Sequence, residues 1–328
     1  MSLTWPLKNW RRRQLKCDIF PSAWSAFCSA VSERTAAGTD FLFVAEEETA
    51  EKELKNILPV SAENVFSSVE SAVMSAAGFA IAGKTPWLIG RASDIAGRGY
   101  AHIREVIAQT GLPVRIVAFD GGISCRHEGA SVQMLEDTAL MRAMPRMNVL
   151  VPSDMRTVAD IIENSAGITS PFYMRLDSSA IPAKYSDSSE PFHPGGARIV
   201  REGSCVTICT CGAMLGRALR AAEKLEIQNI SAEVIDCYSI KPFAENVLLS
   251  SVRRTGCCVA ASEESASGGL FAAVAECLGR TYPVPLRSVS VGDCFVNSGA
   301  YDELCEYYGL TSKEIVDAAA QVWALRRR

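Results

Sequence analysis

The sequence predicts an α/β fold made of two domains, each built around a parallel sheet. Short apolar runs rich in β-branched residues alternate along the chain with stretches whose apolar residues recur at helical spacing. This alternation stops at a Ser, Pro and Gly-rich stretch, Asp177–Gly196, and then starts again. The chain has 328 residues, which is enough for two well-filled cores. Strands that alternate with helices form parallel sheets, because each parallel pair needs a crossover connection.

The clearest unit is a strand–loop–helix–strand segment in the first half. Val114–Phe119 reads as a buried strand and Asp120–Gln133 as a polar loop. A helix is expected at Met134–Met144 and a second strand at Met147–Val151, ending before Pro152. Ligands of parallel sheets bind at the carboxyl ends of the strands. The loop is therefore the first place to look for chemistry.

The other elements of the first half follow the same alternation. They are helices at Ser22–Arg34, Val65–Gly83, Tyr100–Gln109 and Thr157–Glu163, strands at Phe41–Ala45, Pro86–Gly90 and Phe172–Leu176, and a charged helix or turn at Glu46–Lys55.

The second half repeats the pattern. Its expected strands are Cys205–Cys211, Ala232–Cys237, Cys257–Ala261 and Leu286–Val291, and its expected helices are Leu215–Leu225, Ala244–Arg253, Gly269–Leu278 and Ser312–Leu325.

Composition excludes several classes of protein. Apolar residues make up 48% and charged residues 21%, and the net charge of -4 leaves no basic footprint for nucleic acid. The basic triplets Arg11–Arg13 and Arg326–Arg328 read as solvated ends. No apolar run reaches the roughly 18 residues that a membrane span needs, and no apolar core follows the basic N-terminus as in a secretory signal.

Cysteine and histidine usage points to a reducing compartment and against a metal site. Several of the 12 cysteines lie in predicted buried strands, where a free thiol behaves as a small apolar group. No CxxC pair occurs, and this usage predicts a cytoplasmic protein. Only His102, His127 and His193 are present, which limits both metal ligands and general bases.

Three motifs carry a family resemblance. The segment GGIS…EGAS.Q.LEDTALMRA.P.M.VLVPSD resembles the pyrimidine-binding domain of transketolases and other thiamine-diphosphate enzymes. VTICTCGAM…ALRAAEKL…SAEVIDCYSIKPF and GGLFAAVAE resemble the transketolase C-terminal domain. The resemblance runs from about Ala62 to about Leu310. It implies an N-terminal extension at 1–36, a pyrimidine-binding domain at 37–185 and a C-terminal domain at 196–328.

The resemblance also implies a partner subunit. Transketolases carry a preceding domain that grips the diphosphate and Mg²⁺ through a GDG motif, and no GDG occurs in this sequence. The chain therefore resembles the C-terminal, or β, subunit of a split enzyme. Thiamine diphosphate would lie between it and an α subunit that holds the Mg²⁺, in a heterotetramer that acts on a small carbonyl substrate.

At the cofactor positions the sequence departs from the resembled pattern. The Glu that activates the aminopyrimidine falls on Val69, with Glu70 as its neighbour. Either the register slips by one and Glu70 takes the role, or the site works without a Glu, as in the glyoxylate carboligase group. The two Phe positions that hold the pyrimidine fall on Arg91 and Asp94, which could pair with each other or face the pocket.

The loop and the substrate positions depart as well. His127 and Glu128 fall where the family has Glu and Asp, and Gln133 is retained. We interpret His127 with Glu128 as the acid/base candidates, because His titrates near neutral pH, against a solvated loop His.

The family's substrate histidines fall on Asp120 and Glu264, and its phosphate-gripping Arg falls on Ser178, although Arg175 is kept. Loss of these His and Arg side chains predicts a substrate other than a simple ketose phosphate.

Three functions remain open from the sequence. The first is the β subunit of a two-component, thiamine-diphosphate-dependent transketolase-like enzyme that transfers a two-carbon ketol or acyl unit, a transferase or carboligase active only with its partner. The second is a non-catalytic structural or regulatory subunit of such a complex. The third is the β subunit of a related oxo-acid dehydrogenase or synthase.

Overall fold

A computed structural model of the chain contains two mainly parallel sheets covered by helices, which confirms the predicted α/β fold. The structure describes residues 22–49, 64–125, 128–177, 181 and 191–326. Of the predicted linker, only 177, 181 and 191–196 fall within this range. All statements below concern the described residues.

The strands are β1 Leu42–Glu46, β2 Val65–Phe66, β3 Pro86–Arg91, β4 Arg115–Phe119, β5 Asn148–Leu150, β6 Phe172–Leu176, β7 Arg198–Arg201, β8 Val206–Thr210, β9 Ala232–Asp236, β10 Ser239–Lys241, β11 Cys258–Ser265 and β12 Leu286–Val291. The larger sheet has the strand order β10-β5-β6-β4-β3-β1-β2 and the smaller sheet the order β12-β11-β8-β9-β7. Most neighbours are parallel, but β10 pairs antiparallel with β5 and β7 pairs antiparallel with β9.

Helices cover both faces of each sheet. Two π-helical segments, Ser93–Arg98 and Ile103–Ala108, flank a short α-helix at Tyr100–His102, and a 3₁₀ turn lies at Ser165–Gly167. The α-helices are α1 Ala23–Ala36, α2 Glu47–Thr49, α3 Val69–Ile81, α4 Tyr100–His102, α5 Asp137–Ala143, α6 Met155–Asn164, α7 Met214–Ile227, α8 Glu245–Thr255, α9 Leu270–Thr281, α10 Tyr301–Tyr307 and α11 Ser312–Leu325.

Capping side chains explain where several helices begin. Ser22 and Ser68 accept from backbone N–H groups three residues later at the starts of α1 and α3. Asp154 accepts from the Thr157 N–H at 2.7 Å at the start of α6. Each bond satisfies one of the N–H groups that a helix start leaves without an intrahelical partner.

Helix α1 is part of the core of the first half. Phe27 is fully buried, and its ring lies 5.8 Å from that of Trp87 in β3, while the Trp24 ring lies 5.0 Å from that of Phe119 in β4. Aromatic pairs at such distances contribute beyond the area that they bury. The predicted boundary at residue 36 remains a prediction, but the helix before it packs on the first sheet.

The two halves also share a sheet. Strand β10 belongs to the second half by sequence, yet it extends the first sheet by pairing with β5. The Val151 N–H donates to the Tyr238 carbonyl oxygen at 2.8 Å, and the Gly195 N–H donates to the Ser239 hydroxyl at 2.9 Å. The domain limits of 37–185 and 196–328 therefore stay predictions, with a strand crossing between the two halves.

Some predicted elements were wrong in extent. The helix predicted at Met134–Met144 begins only at Asp137, because Met134 forms a bridge to Gly121 instead. The charged segment Glu46–Lys55 supplies the end of β1 and the short helix α2, and its remainder lies outside the described residues. The helix predicted at Val65–Gly83 begins only at Val69, because Val65–Phe66 pair with β1 as β2 and Ser68 caps the helix. The sequence pattern did not predict β2, β7, β10 or α10.

The cysteines of the described chain are free, and most of them are buried. Within the same residues we find no helix with the length and apolar character of a membrane span.

Candidate active site

The candidate site lies at the carboxyl edge of the first sheet. Glu46 ends β1 and Arg91 ends β3, while Asp120 follows β4 and Asp177 follows β6. Parallel strands bring these ends to one edge, where loops hold the polar groups. The fold therefore brings charged side chains together at the edge of the sheet where the sequence predicted the site.

A tight turn follows β4 at this edge. Asp120 has φ 58° and Gly122 has φ 64°, both in the left-handed region. A Cβ atom on Gly121 would lie 2.6 Å from Arg175 Nε and 2.8 Å from an Asp137 carboxylate oxygen. Only glycine permits this approach of backbone to side chain. The Gly-Gly pair of the sequence motif therefore serves the packing of the turn against Arg175.

The loop beyond the turn is tied back to the sheet. The Ser124 hydroxyl donates to the Gly121 carbonyl oxygen at 2.7 Å, and Cys125 Sγ lies 3.6 Å from the Asp120 carbonyl oxygen. Burial raises the pKa of the Cys125 thiol to about 12, and Asp120 adds to this rise. The thiol is therefore protonated at neutral pH and is not a nucleophile. His127, a predicted acid/base residue, lies outside the described residues.

Glu128 and Arg91 meet across the site. Arg91 Nη1 lies 2.6 Å from Glu128 Oε2, and this ion pair joins the end of β3 to the loop. Asp94 instead receives hydrogen bonds from Arg98, with Nε at 3.2 Å from Oδ1, one helical turn away. These bonds raise the pKa of Arg98. Each of the two charged residues at the resembled aromatic positions thus has an ionic partner on its own chain.

Val69 and Glu70 occupy different environments at the start of α3. Val69 is 2% exposed and packs in the core, whereas Glu70 is half-buried. Hydrogen bonds from the Glu70 backbone N–H and then the Ser68 hydroxyl lower the pKa of the Glu70 carboxyl. Successive helical residues point about 100° apart, so the two side chains face different ways.

Arg175 lies at the centre of a buried charged cluster. Its guanidinium bonds four carboxylates: Asp177 at 3.2 Å, Asp137 at 3.5 Å, Glu263 at 3.2 Å and Glu264 at 3.4 Å. All five side chains are at most 4% exposed. We call this set the arginine cluster. The structure places the predicted substrate residues Arg175 and Glu264 here, below the loop and paired with each other.

Further hydrogen bonds complete the arginine cluster. Glu264 accepts from the Leu270 N–H at 2.5 Å and from the Thr138 hydroxyl. Tyr173 donates to Asp137 at 2.7 Å, and Tyr301 donates to Glu263 at 2.5 Å. Buried charges are tolerated only when they are paired and hydrogen-bonded in this way.

Crowding of four acids around one cation shifts their proton affinities. Burial, and after it the neighbouring Asp177, raise the pKa of Glu263 to about 8 against the opposing effect of Arg175. Burial likewise raises the pKa of Asp137 to about 6. Burial by itself would lower the pKa of Arg175, but the carboxylates outweigh it and hold that pKa well above its usual value. The cluster therefore retains a proton at neutral pH.

Sequence reasoning missed Glu263, Asp137 and Asp177 as members of the site. Asp177 follows a buried strand directly, and Glu263 lies next to Glu264 within one. The signal that could have found them is an acidic residue in or next to a strand that was otherwise interpreted as apolar. Their common partner is Arg175, and it contacts Glu263 only because the two halves of the chain pack together.

The second half also covers the far end of the loop. Gln133 Nε2 donates to the Asn297 carbonyl oxygen at 3.3 Å, and a Cβ atom on Gly129 would lie 2.7 Å from the Ser298 hydroxyl. The described residues contain no group of three His, Cys, Asp or Glu side chains that could hold a metal ion.

Comparisons with known proteins place this architecture in context. Residues 54–184 match the transketolase pyrimidine-binding domain, and residues 195–315 match the transketolase C-terminal domain. A 6-deoxy-6-sulfo-D-fructose transketolase subunit, SqwH, from Clostridium sp. (strain MSTE9) is 38% identical over 272 residues, which cover 83% of this chain and 84% of that protein. One of the subunits of an apulose-4-phosphate transketolase from Phocaeicola vulgatus is 30% identical over 77% of this chain and 80% of its own length.

A solved structure shows the same fold. It is described as a split gene transketolase in an inactive β4 tetramer, and it superposes with a TM-score of 0.80 at 34% identity. The match covers 94% of this chain and 100% of that one.

Proposed function

This chain belongs to the transketolase family, and from that premise we propose that it is the β subunit of a two-component enzyme that transfers a two-carbon ketol or acyl unit. One observation carries the proposal. The chain aligns over most of the length of relatives that are themselves named as transketolase subunits, and it contains the same two domains. A chain of this build supplies one wall of a shared cavity.

The partner in this proposal is an α subunit that binds the diphosphate and Mg²⁺. The names of the two relatives, each a transketolase subunit of about the length of this chain, support this division of labour. The two related enzymes are named for a sulfofructose and for apulose 4-phosphate, neither of which is an ordinary ketose phosphate. We propose a non-standard carbonyl substrate, a heterotetrameric complex and a cytoplasmic location. The buried free cysteines support a reducing compartment.

Transketolases use thiamine diphosphate, but the residues of this chain do not fit its aminopyrimidine in the manner that the family resemblance implies. A buried Val69 offers no carboxylate, and the two aromatic positions hold Arg91 and Asp94, each ion-paired. Neither side chain supplies the apolar aromatic wall that the resemblance implies for the ring. We therefore assign no step of the reaction to contact between these residues and the cofactor.

Within the proposed enzyme, His127 and Glu128 remain the candidates for acid/base work, with Glu70 as the alternative carboxylate. Glu128 is tied to Arg91 through Oε2, so a proton would be taken at Oε1 unless the ion pair opens. Asp120 and Gln133 lie at the two ends of the same loop.

The test is reconstitution. The chain is mixed with a candidate α subunit that carries GDG and a following Asn, and two-carbon transfer is followed from carbonyl donors with and without a terminal anion. We expect turnover only in the mixture and only with thiamine diphosphate present. Tight binding of thiamine diphosphate and turnover by this chain without a second protein would refute the proposal.

A non-catalytic subunit is the second candidate, and the replaced cofactor positions favour it. In that case changing His127 and Glu128 to Ala and Gln would leave turnover of the reconstituted complex unaltered. A large loss of kcat in either variant, with complex formation intact by gel filtration, would instead support the catalytic subunit.

A further inference from the structure

We propose that Arg175 is a positioning residue: the arginine cluster ties both stems of the loop Asp120–Gln133 to the second half of the chain and occupies the guanidinium that could otherwise bind a substrate anion. Asp137, Arg175 and Asp177 come from the first half, whereas Glu263 and Glu264 lie on β11 of the second half. The cluster therefore joins the two halves directly beneath the loop.

The first stem of the loop is fixed by contact with the guanidinium. Gly121 and Gly122 lie so close to Arg175 that neither has room for a side chain, and a Cβ atom on Gly122 would also lie 2.8 Å from the Glu263 carbonyl oxygen. The Gly122 N–H donates to the Met134 carbonyl oxygen at 2.7 Å. The turn that presents Asp120 is thus shaped against the arginine cluster.

The second stem is fixed by the acids of the same cluster. The Ser265 N–H donates to the Leu135 carbonyl oxygen at 3.0 Å, next to Glu264. Asp137 bonds Arg175, and the Thr138 hydroxyl donates to Glu264, at the start of α5. Both ends of the loop therefore move only if the cluster rearranges.

The same bonds use four of the five N–H donors of Arg175. Nε points to Asp177, one terminal nitrogen to Asp137 and Glu264, and the other to Glu263. A guanidinium binds a phosphate or sulfonate well when its planar fork is free to face the anion. Here four carboxylates occupy that fork, and a further anion would meet net negative charge.

One of the acids that bind Arg175 departs from the family pattern that the sequence resembles. Glu264 stands where transketolases have a substrate histidine, and it accepts from Arg175, Thr138 and the Leu270 N–H. The replacement converts a position that faces substrate in the family into part of an internal tie. It accounts for the burial of both Glu264 and Arg175.

Hydrogen exchange of the full-length chain, read by mass spectrometry of peptides, tests the positioning role. In Glu264→Gln, which keeps shape but loses charge, we expect amides of 121–135 to exchange about tenfold faster. Strands β8 and β9 should exchange as in the parent. The control is Arg198→Lys at another buried arginine, which bonds Asp160 at 2.7 Å away from the loop and should leave 121–135 unchanged.

Two results would overturn the inference. One is unchanged exchange of 121–135 in Glu264→Gln, and the other is equal acceleration in every strand, which marks a general structural role. If Glu264→Gln does not fold, Thr138→Val removes only the hydroxyl donor to Glu264 and should speed the same peptides.

Inorganic phosphate is the probe for the second part of the inference. We expect no protection of 121–135 by phosphate in the parent chain. If phosphate protects these amides in the parent but not in Arg175→Met, the guanidinium of Arg175 is free to bind an anion, and this part of the inference is refuted. The inference rests on the proposed function only in treating this loop as part of the active site. The exchange experiment needs no α subunit. Its failure is therefore distinguishable from failure of the reconstitution assay.

Discussion

The stability of this protein should fall as the pH rises through neutrality, and Glu263 should be a main cause. In the folded chain burial and the neighbouring Asp177 raise the pKa of this carboxyl from 4.5 to about 8. Between these two values the folded state holds a proton that the unfolded chain has released. The contribution of Glu263 is therefore fully present below about pH 4.5 and is lost as the pH rises through about 8.

The magnitude follows from the pKa difference. At 1.36 kcal/mol per pH unit, a change from 4.5 to about 8 corresponds to a loss of about 5 kcal/mol in the free energy of unfolding. The side chain is 4% exposed, so solvent screening reduces this figure little. Asp137 and Asp236 add to the loss at lower pH, because burial raises their pKa values to about 6 and about 7.

Urea unfolding of the full-length chain at about pH 5.5, 7 and 8.5 measures this dependence. We expect the midpoint to fall with pH in the parent and to fall less in Glu263→Gln, which keeps the hydrogen-bonding shape without an ionisable proton, while Asp137 and Asp236 retain their own pH dependence. Glu276→Gln is the control, because Glu276 forms an exposed ion pair with Arg142. A flat parent profile, or the same slope in Glu263→Gln as in the parent, would refute the reasoning.

Three further predictions concern stability. Phe27→Ala should cost about 3–5 kcal/mol by thermal or urea unfolding, since it empties a fully buried site against Trp87; a cost below about 1 kcal/mol would show that α1 is not part of the core. Asp154→Ala should cost about 1 kcal/mol through loss of the α6 cap, and an unchanged urea midpoint would contradict that role. Arg91→Ala should change the free energy of unfolding by less than about 1 kcal/mol, because the side chain of its partner Glu128 is 46% exposed; a larger loss would mean that the pair is buried in solution.

Much of the fold could be predicted because its strands are short, apolar and β-branched. The predicted strand Val114–Phe119 corresponds to Arg115–Phe119, and Phe172–Leu176 was predicted to the residue. The periodicity of 3.6 located α6, α7 and α11 for the same local reason. The family resemblance added the identity of both domains, which the comparisons confirm.

Prediction failed where pairing between distant segments overrides local pattern. Met134 fits the apolar spacing of a helix, but its bridge to Gly121 keeps it out of α5. Strands β7 and β10 are short and carry charged residues, so only their antiparallel partners make them strands. The roles assigned to Asp120, His127 and Glu128 stay predictions until the reconstituted complex is assayed.

The amino-acid order alone determined that this chain has two alternating α/β halves, which residues stand at the cofactor and substrate positions of the family, and that the resemblance implies a diphosphate-binding partner. Only the tertiary structure decided what Arg175 does. Two of its four acidic partners, Glu263 and Glu264, lie 88 and 89 residues away in sequence, and packing of the two halves brings them within hydrogen-bonding distance. Charge pairing depends on distance in space, and sequence spacing does not report that distance.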